Sequence, residues 1–173
     1  MKKLIFLIFI FHFILSITPE TKDSENNYES LLEIKTSKIP KSGNGVFAKE
    51  NFEKGIVLGA YTGKFITEEE YNEILKRNDW HYVMWFKDCA RPHLGKYVGV
   101  DGKIEGNIFS RINYAPAKFQ NVKFEKICEP PYALVRTLRS IQKGEELYID
   151  YGPDYIYDFM EDKEIQNFFN PPK

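Results

Sequence analysis

LRSIQKGEELYIDYG, residues Leu138–Gly152, is the stretch that decides the fold of this chain. Its Lys-Gly pair is typical of a turn, and the alternation that follows predicts a strand over Glu146–Asp150. Tyr151 ends that strand, where a side chain can project from a rigid base. Together with three earlier segments, this stretch predicts one site that is split along the sequence: SGNGVFA at Ser42–Ala48, GAYTGKFIT at Gly59–Thr67 and INYA at Ile112–Ala115.

The composition bounds the kind of protein that this chain can be. It has 173 residues, of which 43% are hydrophobic and 16% aromatic. Such a chain can bury one hydrophobic core without disulfides or metals, which predicts a single domain. The net charge is −1 and no block of Lys and Arg dominates. The charge pattern therefore gives no indication of direct nucleic-acid binding.

The cysteines and histidines do not indicate a metal centre. Cys89 and Cys128 are too few for a disulfide-rich scaffold or a four-cysteine zinc site. We expect two unrelated thiols, and one disulfide between them is the alternative. His81 and His93 lack the spacing of metal ligands, and no Ser-His or Cys-His arrangement is visible. The sequence therefore predicts neither a metal site nor a nucleophilic triad.

The N-terminus has the features of a secretory signal peptide. A basic start at Met1-Lys2-Lys3 precedes the apolar run Leu4–Ser16, which is too short for a comfortable membrane span. We predict that residues 1–18 are a signal peptide, with an apolar leader that has no targeting role as the alternative. Residues 19–30 are polar and aperiodic and are predicted to be a disordered linker. The domain is then predicted over 31–155, with a C-terminal helix or tail over 156–173.

The rest of the chain alternates short β-like runs with turn residues. One helix is predicted to follow Thr67, which can cap it, with Glu68–Glu70 in its first turn. A second helix is predicted over Tyr155–Phe169. Many short strands with two peripheral helices predict a β-rich α+β domain rather than a doubly wound sheet. The predicted strands are Leu32–Lys35, Gly45–Ala48, Ile56–Tyr61, Tyr82–Phe86, Tyr97–Val100, Ala133–Thr137 and Glu146–Asp150.

Three segments carry candidate functional residues. Asn44 stands between two glycines before a strand, where the backbone can approach a ligand closely, although a plain hairpin turn is the alternative. Tyr61 lies in a glycine-flanked segment at a strand end and is a candidate site residue. The alternative is that it is an ordinary tyrosine buried in the core. Asn113 lies among apolar residues, so its amide must find partners in the backbone or in a polar ligand.

Taken in order, these motifs resemble those of SET-domain protein lysine methyltransferases. The ordered set is Gly-x-Gly-Val-Phe, Ala-Tyr-Thr-Gly-x-x-Ile-Thr, Tyr-Val-x-Val-Asp-Gly, Ile-Asn-Tyr-Ala, Gln-Asn-Val and Gly-Glu-Glu-Leu-x-x-x-Tyr-Gly. The resemblance covers about Ser37 to Tyr155. The closing half is similar to the PR subgroup in particular, through Gln120–Val122, Arg136-Thr137 and Tyr151–Tyr155.

The resemblance implies a SET-domain fold of several small sheets, a pseudoknot-like threading of the C-terminal segment and peripheral helices. It also implies an S-adenosylmethionine site on one face and a narrow lysine channel entered from the other. Tyr151 matches the family's catalytic tyrosine, and Tyr61 matches one that lines the channel. If so, the Tyr151 hydroxyl lies near Asn113 and away from bulk water. The positions that match cofactor-contacting residues are Asn44, Gly45, Val46, Tyr82, Asn113, Tyr114 and Tyr155.

The implied substrate is a protein or peptide lysine, which is a histone tail for most of the family, and the implied location is the nucleus. A functional signal peptide would place the protein in the secretory pathway instead. Two departures keep a second function open: Tyr114 replaces the usual histidine, and Arg111 lies two positions before Asn113 rather than three. That alternative is a catalytically weak or inactive protein-interaction module in transcription regulation. No cysteine cluster follows Tyr155 in this chain, so the predicted C-terminal helix is available to close the channel.

Overall fold

The computed structural model describes residues 28–86, 89, 95–128, 131–153, 155 and 157–172. The predicted leader at 1–18 and most of the predicted linker at 19–30 lie outside these residues. A 3-10 helix at Tyr28–Leu31 begins inside the predicted linker, and the Tyr28 ring packs edge-on against Phe52 with centroids 5.8 Å apart. The packed domain therefore includes Tyr28, ahead of the predicted boundary at Leu31. No helix among the described residues is both long and apolar enough to cross a bilayer.

Short strands dominate the described part of the chain, which confirms the β-rich α+β prediction. The strands are β1 Leu32–Thr36, β2 Asn44–Ala48, β3 Val57–Tyr61, β4 Lys64–Thr67, β5 Val83–Trp85, β6 Tyr97–Asp101, β7 Asn113–Tyr114, β8 Val122–Cys128, β9 Pro131–Thr137 and β10 Tyr148–Ile149. The helices are α1 Glu68–Lys76 and α2 Lys163–Phe169, with further 3-10 helices at Trp80–Tyr82, Ile108–Arg111 and Asp158–Glu161.

The strands form small separate sheets. β1 pairs with β2, β9 lies between β3 and β8, and β6 lies between β4 and β5, all antiparallel. The remaining pair, β7 with β10, is parallel. The predicted strands all fall on observed ones, whereas β4, β7 and β8 were not predicted. β8 reads VKFEKIC, and its three charged side chains obscure an otherwise strand-like segment.

Helix α1 begins where the sequence predicts. The Thr67 hydroxyl accepts a hydrogen bond from the Glu70 backbone at 3.3 Å, and the Glu70 carboxylate accepts one from the Thr67 backbone at 2.9 Å. This reciprocal capping box satisfies two backbone donors at the start of the helix. Ile74 is buried, and the Tyr71 ring lies 4.2 Å from that of Trp85, so the helix packs against β5.

The segment from Glu145 to Ile149 passes between β2 and β7. On one side the Ala48 backbone N–H donates to the Glu145 carbonyl at 3.0 Å, and Leu147 N–H donates to the Val46 carbonyl at 2.8 Å. On the other side β10 forms its parallel ladder with β7. Residues 146–149 are all buried, because Leu147 and Ile149 pack in the main core while Tyr148 packs with Ile165 and Phe169 of α2. The strand predicted over Glu146–Asp150 is present as β10, with the shorter bounds Tyr148–Ile149.

The C-terminal helix is shorter than predicted. The prediction of one helix over Tyr155–Phe169 is wrong, because Asp162 has an extended backbone and starts α2 afresh. Its carboxylate accepts hydrogen bonds from the backbones of Glu164 at 2.8 Å and Ile165 at 3.4 Å, as an N-cap residue does. Apolar residues of α2 then pack in a small second core with residues from three distant segments: Ile39, Ala115, Tyr148, Ile165 and Phe169.

Cys89 and Cys128 form a disulfide bond, so the expectation of two unrelated thiols is wrong. Their Cα atoms lie 5.3 Å apart, although Cys128 is 39 positions after Cys89 in the chain. Cys128 ends β8, and Cys89 follows β5, where its backbone N–H donates to the Phe86 carbonyl at 3.0 Å. The bond therefore ties together two sheets, β4–β6–β5 and β3–β9–β8. Such proximity depends on the tertiary fold and is not visible in the spacing of the two residues.

Candidate active site

The four segments singled out in the sequence meet around one cavity of about 1380 Å³. It lies where the ends of β2, β3 and β7 approach the segment that follows β10. The cavity is lined by seven of the nine predicted site residues: Asn44, Tyr61, Tyr82, Asn113, Tyr114, Tyr151 and Tyr155. Residues that are far apart in the chain are thus brought to one place in the fold.

The other two predicted residues, Gly45 and Val46, are not among the lining residues. Val46 is fully buried in the main core, with 0% of its surface exposed. Gly45 is buried beside the carboxylate of Glu146, and a Cβ atom at Gly45 would lie 2.1 Å from Glu146 Oε1. The structure thus explains the glycine by close packing against a buried side chain rather than by a turn conformation.

Tyr151 projects from the end of the β10 segment into the cavity wall. Its hydroxyl donates a hydrogen bond to the Ile112 carbonyl at 2.9 Å, one residue before Asn113. The hydroxyl therefore lies next to the asparagine segment, as predicted, and does not face bulk water. Burial raises the pKa of the Tyr151 phenol well above its ordinary value. The ring lies 6.0 Å from that of Tyr114 and 4.7 Å from that of Tyr155.

Tyr61 ends β3 on the opposite wall, and its side chain is buried. Its hydroxyl donates to the Tyr82 carbonyl at 2.5 Å, and its ring meets the edge of Phe124 at 5.7 Å. Burial is the main reason that the pKa of the Tyr61 phenol is raised. Gly102 gives room for this phenol, since a Cβ atom there would lie 2.4 Å from the Tyr61 oxygen.

The two phenols share one chemical property. Each uses its only proton in a hydrogen bond to a backbone carbonyl, so towards a ligand each oxygen can act only as an acceptor. Because both pKa values are raised, both phenols stay neutral near pH 7 and do not act as phenolate bases. Tyr61 and Tyr151 therefore suit a ligand that is cationic or that donates hydrogen bonds.

Tyr82 is held between a glycine and an arginine. Its carbonyl accepts the Tyr61 hydroxyl and also the Gly102 backbone N–H at 3.0 Å. The guanidinium carbon of Arg111 lies 4.9 Å from the centroid of the Tyr82 ring, within cation–π range. Arg111 lies on the cavity wall, two positions before Asn113 in the chain.

Asn113 and Tyr114 form β7 and present different chemistry. The Asn113 amide nitrogen donates to the Asn44 carbonyl at 3.0 Å and to Glu146 Oε1 at 3.3 Å. The ring of Tyr114 lies 4.2 Å from that of Tyr157. Burial raises the pKa of the Tyr114 phenol. Asn113 thus links Asn44 to Glu146 of the C-terminal segment. Tyr114 begins a row of packed rings, the aromatic wall, which continues through Tyr151, Tyr155 and Tyr157.

Tyr155 closes the aromatic wall from the C-terminal side. Its hydroxyl and His81 Nδ1 are hydrogen-bonded at 2.8 Å, and its ring lies 4.7 Å from that of Trp80. Burial raises the pKa of the Tyr155 phenol to about 12. The segment after β10 is therefore fastened across the cavity to the 3-10 helix at Trp80–Tyr82.

Sequence reasoning missed three residues of the site. Phe124 and Trp80 line the cavity, and the Glu146 carboxylate accepts a hydrogen bond from the Asn113 amide. Phe124 could have been found through the strand character of Val122–Cys128, which places it on the same side as the buried Val122. Glu146 gave no signal, because a glutamate next to a turn is normally exposed. Among the residues that the structure describes, no group of three His, Cys, Asp or Glu side chains could hold a metal ion.

Comparison with known proteins matches this architecture. The model of the SET domain matches residues 43–152. N-lysine methyltransferase KMT5A-A of Danio rerio is 32% identical over 120 residues, which cover 66% of this chain and 33% of that protein. Histone-lysine N-methyltransferase MEDEA of Arabidopsis thaliana is 29% identical over 118 residues, covering 65% and 16%. Histone-lysine N-methyltransferase SETD7 of Halocynthia roretzi is 24% identical over 142 residues, covering 78% and 34%.

Solved structures show the same fold. A humanized mutant of the Chaetomium thermophilum Polycomb Repressive Complex 2 bound to the inhibitor GSK126 superposes with a TM-score of 0.60 at 24% identity. The match covers 72% of this chain and 15% of that one. The GSK343 complex of a humanized mutant gives a TM-score of 0.61 at 22% identity, covering 75% and 16%. The chain thus spans about a third or less of the length of the relatives named here.

Proposed function

This chain belongs to the SET-domain family, and from that premise we propose that it is an S-adenosylmethionine-dependent protein lysine N-methyltransferase. Relatives that are 32% and 24% identical over the aligned residues carry the names of lysine methyltransferases. The observation that carries the proposal is the pair of neutral phenols, Tyr61 and Tyr151, whose oxygens are left as acceptors on the cavity wall. An amine nucleophile and a cationic methyl donor both suit such a wall.

The residues present fit S-adenosylmethionine. The cavity is large enough for a cofactor, and it combines an amide, aromatic faces and hydroxyl oxygens. We propose that Asn44, Asn113 and Tyr114 hold the cofactor, with Tyr82 and Tyr155 as further contacts. Gly45 and Val46 do not line the cavity and would contribute by holding the neighbouring Asn44 in place. When bound, the cofactor supplies a methyl group attached to a positively charged sulfur.

The phenols would orient the substrate rather than take its proton. A free lysine has a pKa of about 10.4, so the amine must lose a proton before it can attack. Desolvation by the apolar rings around Tyr61, including Phe124, favours the neutral amine. Tyr151 would then accept a hydrogen bond from that amine and hold it in line with the methyl group. Alignment of this kind supplies much of the rate enhancement in a two-reactant step.

The proposed substrate is a histone tail and the proposed location is the nucleus. The names of two relatives, MEDEA and SETD7, describe histone-lysine N-methyltransferases, which supports both proposals. A second location has its own support, because the Cys89–Cys128 disulfide is typical of an oxidising compartment. That observation favours the secretory pathway and agrees with a signal peptide at residues 1–18. The mature N-terminus and the thiol state of the natural protein distinguish the two locations.

A labelled-methyl assay on histones and on a peptide library, using the full chain, tests the function. We expect transfer by the wild type and about a hundredfold loss in Tyr151→Phe, since one oriented hydrogen-bonding group is commonly worth that much. Tyr28→Phe is the matched control, because this tyrosine packs on Phe52 outside the cavity. Wild-type turnover by Tyr151→Phe would contradict the assigned role. Calorimetry that detects no S-adenosylmethionine binding by the wild type would favour the interaction module instead.

A further inference from the structure

Glu146 is a buried carboxylate in a shell made only of hydrogen-bond donors. It is 1% exposed, although glutamate is rarely buried without a partner. Its Oε2 accepts the Lys38 backbone N–H at 2.8 Å and the Tyr148 hydroxyl at 2.9 Å. Its Oε1 accepts the Ser37 hydroxyl at 2.7 Å and the Asn113 amide at 3.3 Å. Among the described residues no cation pairs with it, so neutral donors alone stabilise this buried group.

The directions of the Ser37 and Lys38 hydrogen bonds in this shell are fixed. The Ser37 hydroxyl accepts the Ile39 backbone N–H at 3.0 Å, so its own proton is free to go to Glu146. The Lys38 group is a backbone N–H, which can only donate. A neutral glutamine at position 146 would place its NH₂ group against some of these donors, which leaves polar hydrogens without acceptors in a buried place.

The same shell fixes the orientation of the Asn113 amide. Its nitrogen faces two acceptors, the Asn44 carbonyl and Glu146 Oε1. A flipped amide would set its oxygen against both of these oxygens, which is unfavourable. Both protons of the nitrogen are thereby used, and the described residues provide no hydrogen bond to the amide oxygen. Because Asn113 lines the cavity, this oxygen is the group that remains for a ligand.

We propose that Glu146 is a positioning residue for ligand binding. Its charge holds the Asn113 amide in one orientation, so that the Asn113 side chain offers the cavity its acceptor oxygen and not its donor nitrogen. A ligand group at this point must then donate, as a primary ammonium group does. This inference rests on the proposed function, in which the ammonium is that of S-adenosylmethionine. The close packing of Gly45 against Glu146 is consistent with this role, because any side chain at position 45 would displace the carboxylate.

Three variants of the full chain test the proposal. Glu146→Gln keeps the shape and removes the charge. Tyr148→Phe removes a donor from the other carboxylate oxygen without touching Asn113, so it is the matched control for a purely structural role. Ser37→Ala removes the donor that shares Oε1 with Asn113 while the charge stays, and it serves if Glu146→Gln does not fold. The readouts are the dissociation constant for S-adenosylmethionine by calorimetry and the NMR resonances of the Asn113 side-chain amide.

We expect Glu146→Gln to raise the dissociation constant at least tenfold and to shift the Asn113 amide resonances. Ser37→Ala should shift the same resonances, whereas Tyr148→Phe should change the dissociation constant less than twofold. Unmoved Asn113 resonances in both Glu146→Gln and Ser37→Ala would overturn the proposal, as would equal loss of affinity in Glu146→Gln and Tyr148→Phe. If the wild type binds no S-adenosylmethionine, the proposed function fails, and the amide resonances alone decide whether Glu146 orients Asn113.

Discussion

Removing the Cys89–Cys128 bond should destabilise the domain strongly. The bond closes a loop of 39 residues and so restricts the unfolded chain. The chain-entropy relation gives about 4 kcal/mol for a loop of this length at 25 °C. For a domain of this size that corresponds to a fall in melting temperature of roughly 10 °C. Alanine is the suitable replacement at both positions, since a serine hydroxyl at the buried Cys89 would add its own cost.

The assay is thermal unfolding of the wild type and of the Cys89→Ala/Cys128→Ala variant, each with and without reductant. The wild type should lose stability when reduced, and the double variant should melt at the lower temperature under both conditions. The variant's insensitivity to reductant is the internal control. Thiol titration of the unfolded, unreduced wild type should find no free thiols. Two free thiols, or a melting temperature that reductant does not change, would refute the reasoning.

Two further predictions concern local geometry. Gly45→Ala should cost about 1–3 kcal/mol of unfolding free energy, because the new methyl group would overlap the buried Glu146 carboxylate; denaturant titration measures this, and an unchanged midpoint contradicts it. Thr67→Ala should cost about 1 kcal/mol because it removes the cap that bonds Glu70, whereas Thr62→Ala, in an exposed position nearby, should have little effect on the same measurement. Equal losses in the two threonine variants would argue against the capping role.

Local signals predicted much of the secondary structure. Turn residues and β-like runs located most strands, and the Thr67 cap located α1, because these features depend on neighbouring residues. β8 was missed since its charged side chains concealed the strand pattern. The long C-terminal helix was predicted wrongly because apolar periodicity outweighed Asp162, whose carboxylate starts a new helix. In both cases polar side chains outweigh the pattern of the neighbouring residues: three charged ones conceal β8, and Asp162 sets the start of α2.

The site was predicted in outline through ordered motifs rather than through local chemistry. Seven of its residues line the cavity, yet the reason for Gly45 and the shell around Glu146 depend on contacts between distant segments. The disulfide was missed for the same reason, since Cys89 and Cys128 meet only in the folded domain. Periodicity and spacing do not report such contacts.

The passage of Glu145–Ile149 between β2 and β7 sets an order of events during protein synthesis. Strands made early have no partner in this position until the ribosome has released the last of these five residues. A nascent chain that has already emerged as far as β9 therefore still has unpaired backbone N–H and C=O groups along β2 and β7 that pair only with the late segment. Pairings between residues so distant in sequence also form slowly. This part of the fold is therefore completed only once a late segment has been made, unlike a domain built from neighbouring hairpins.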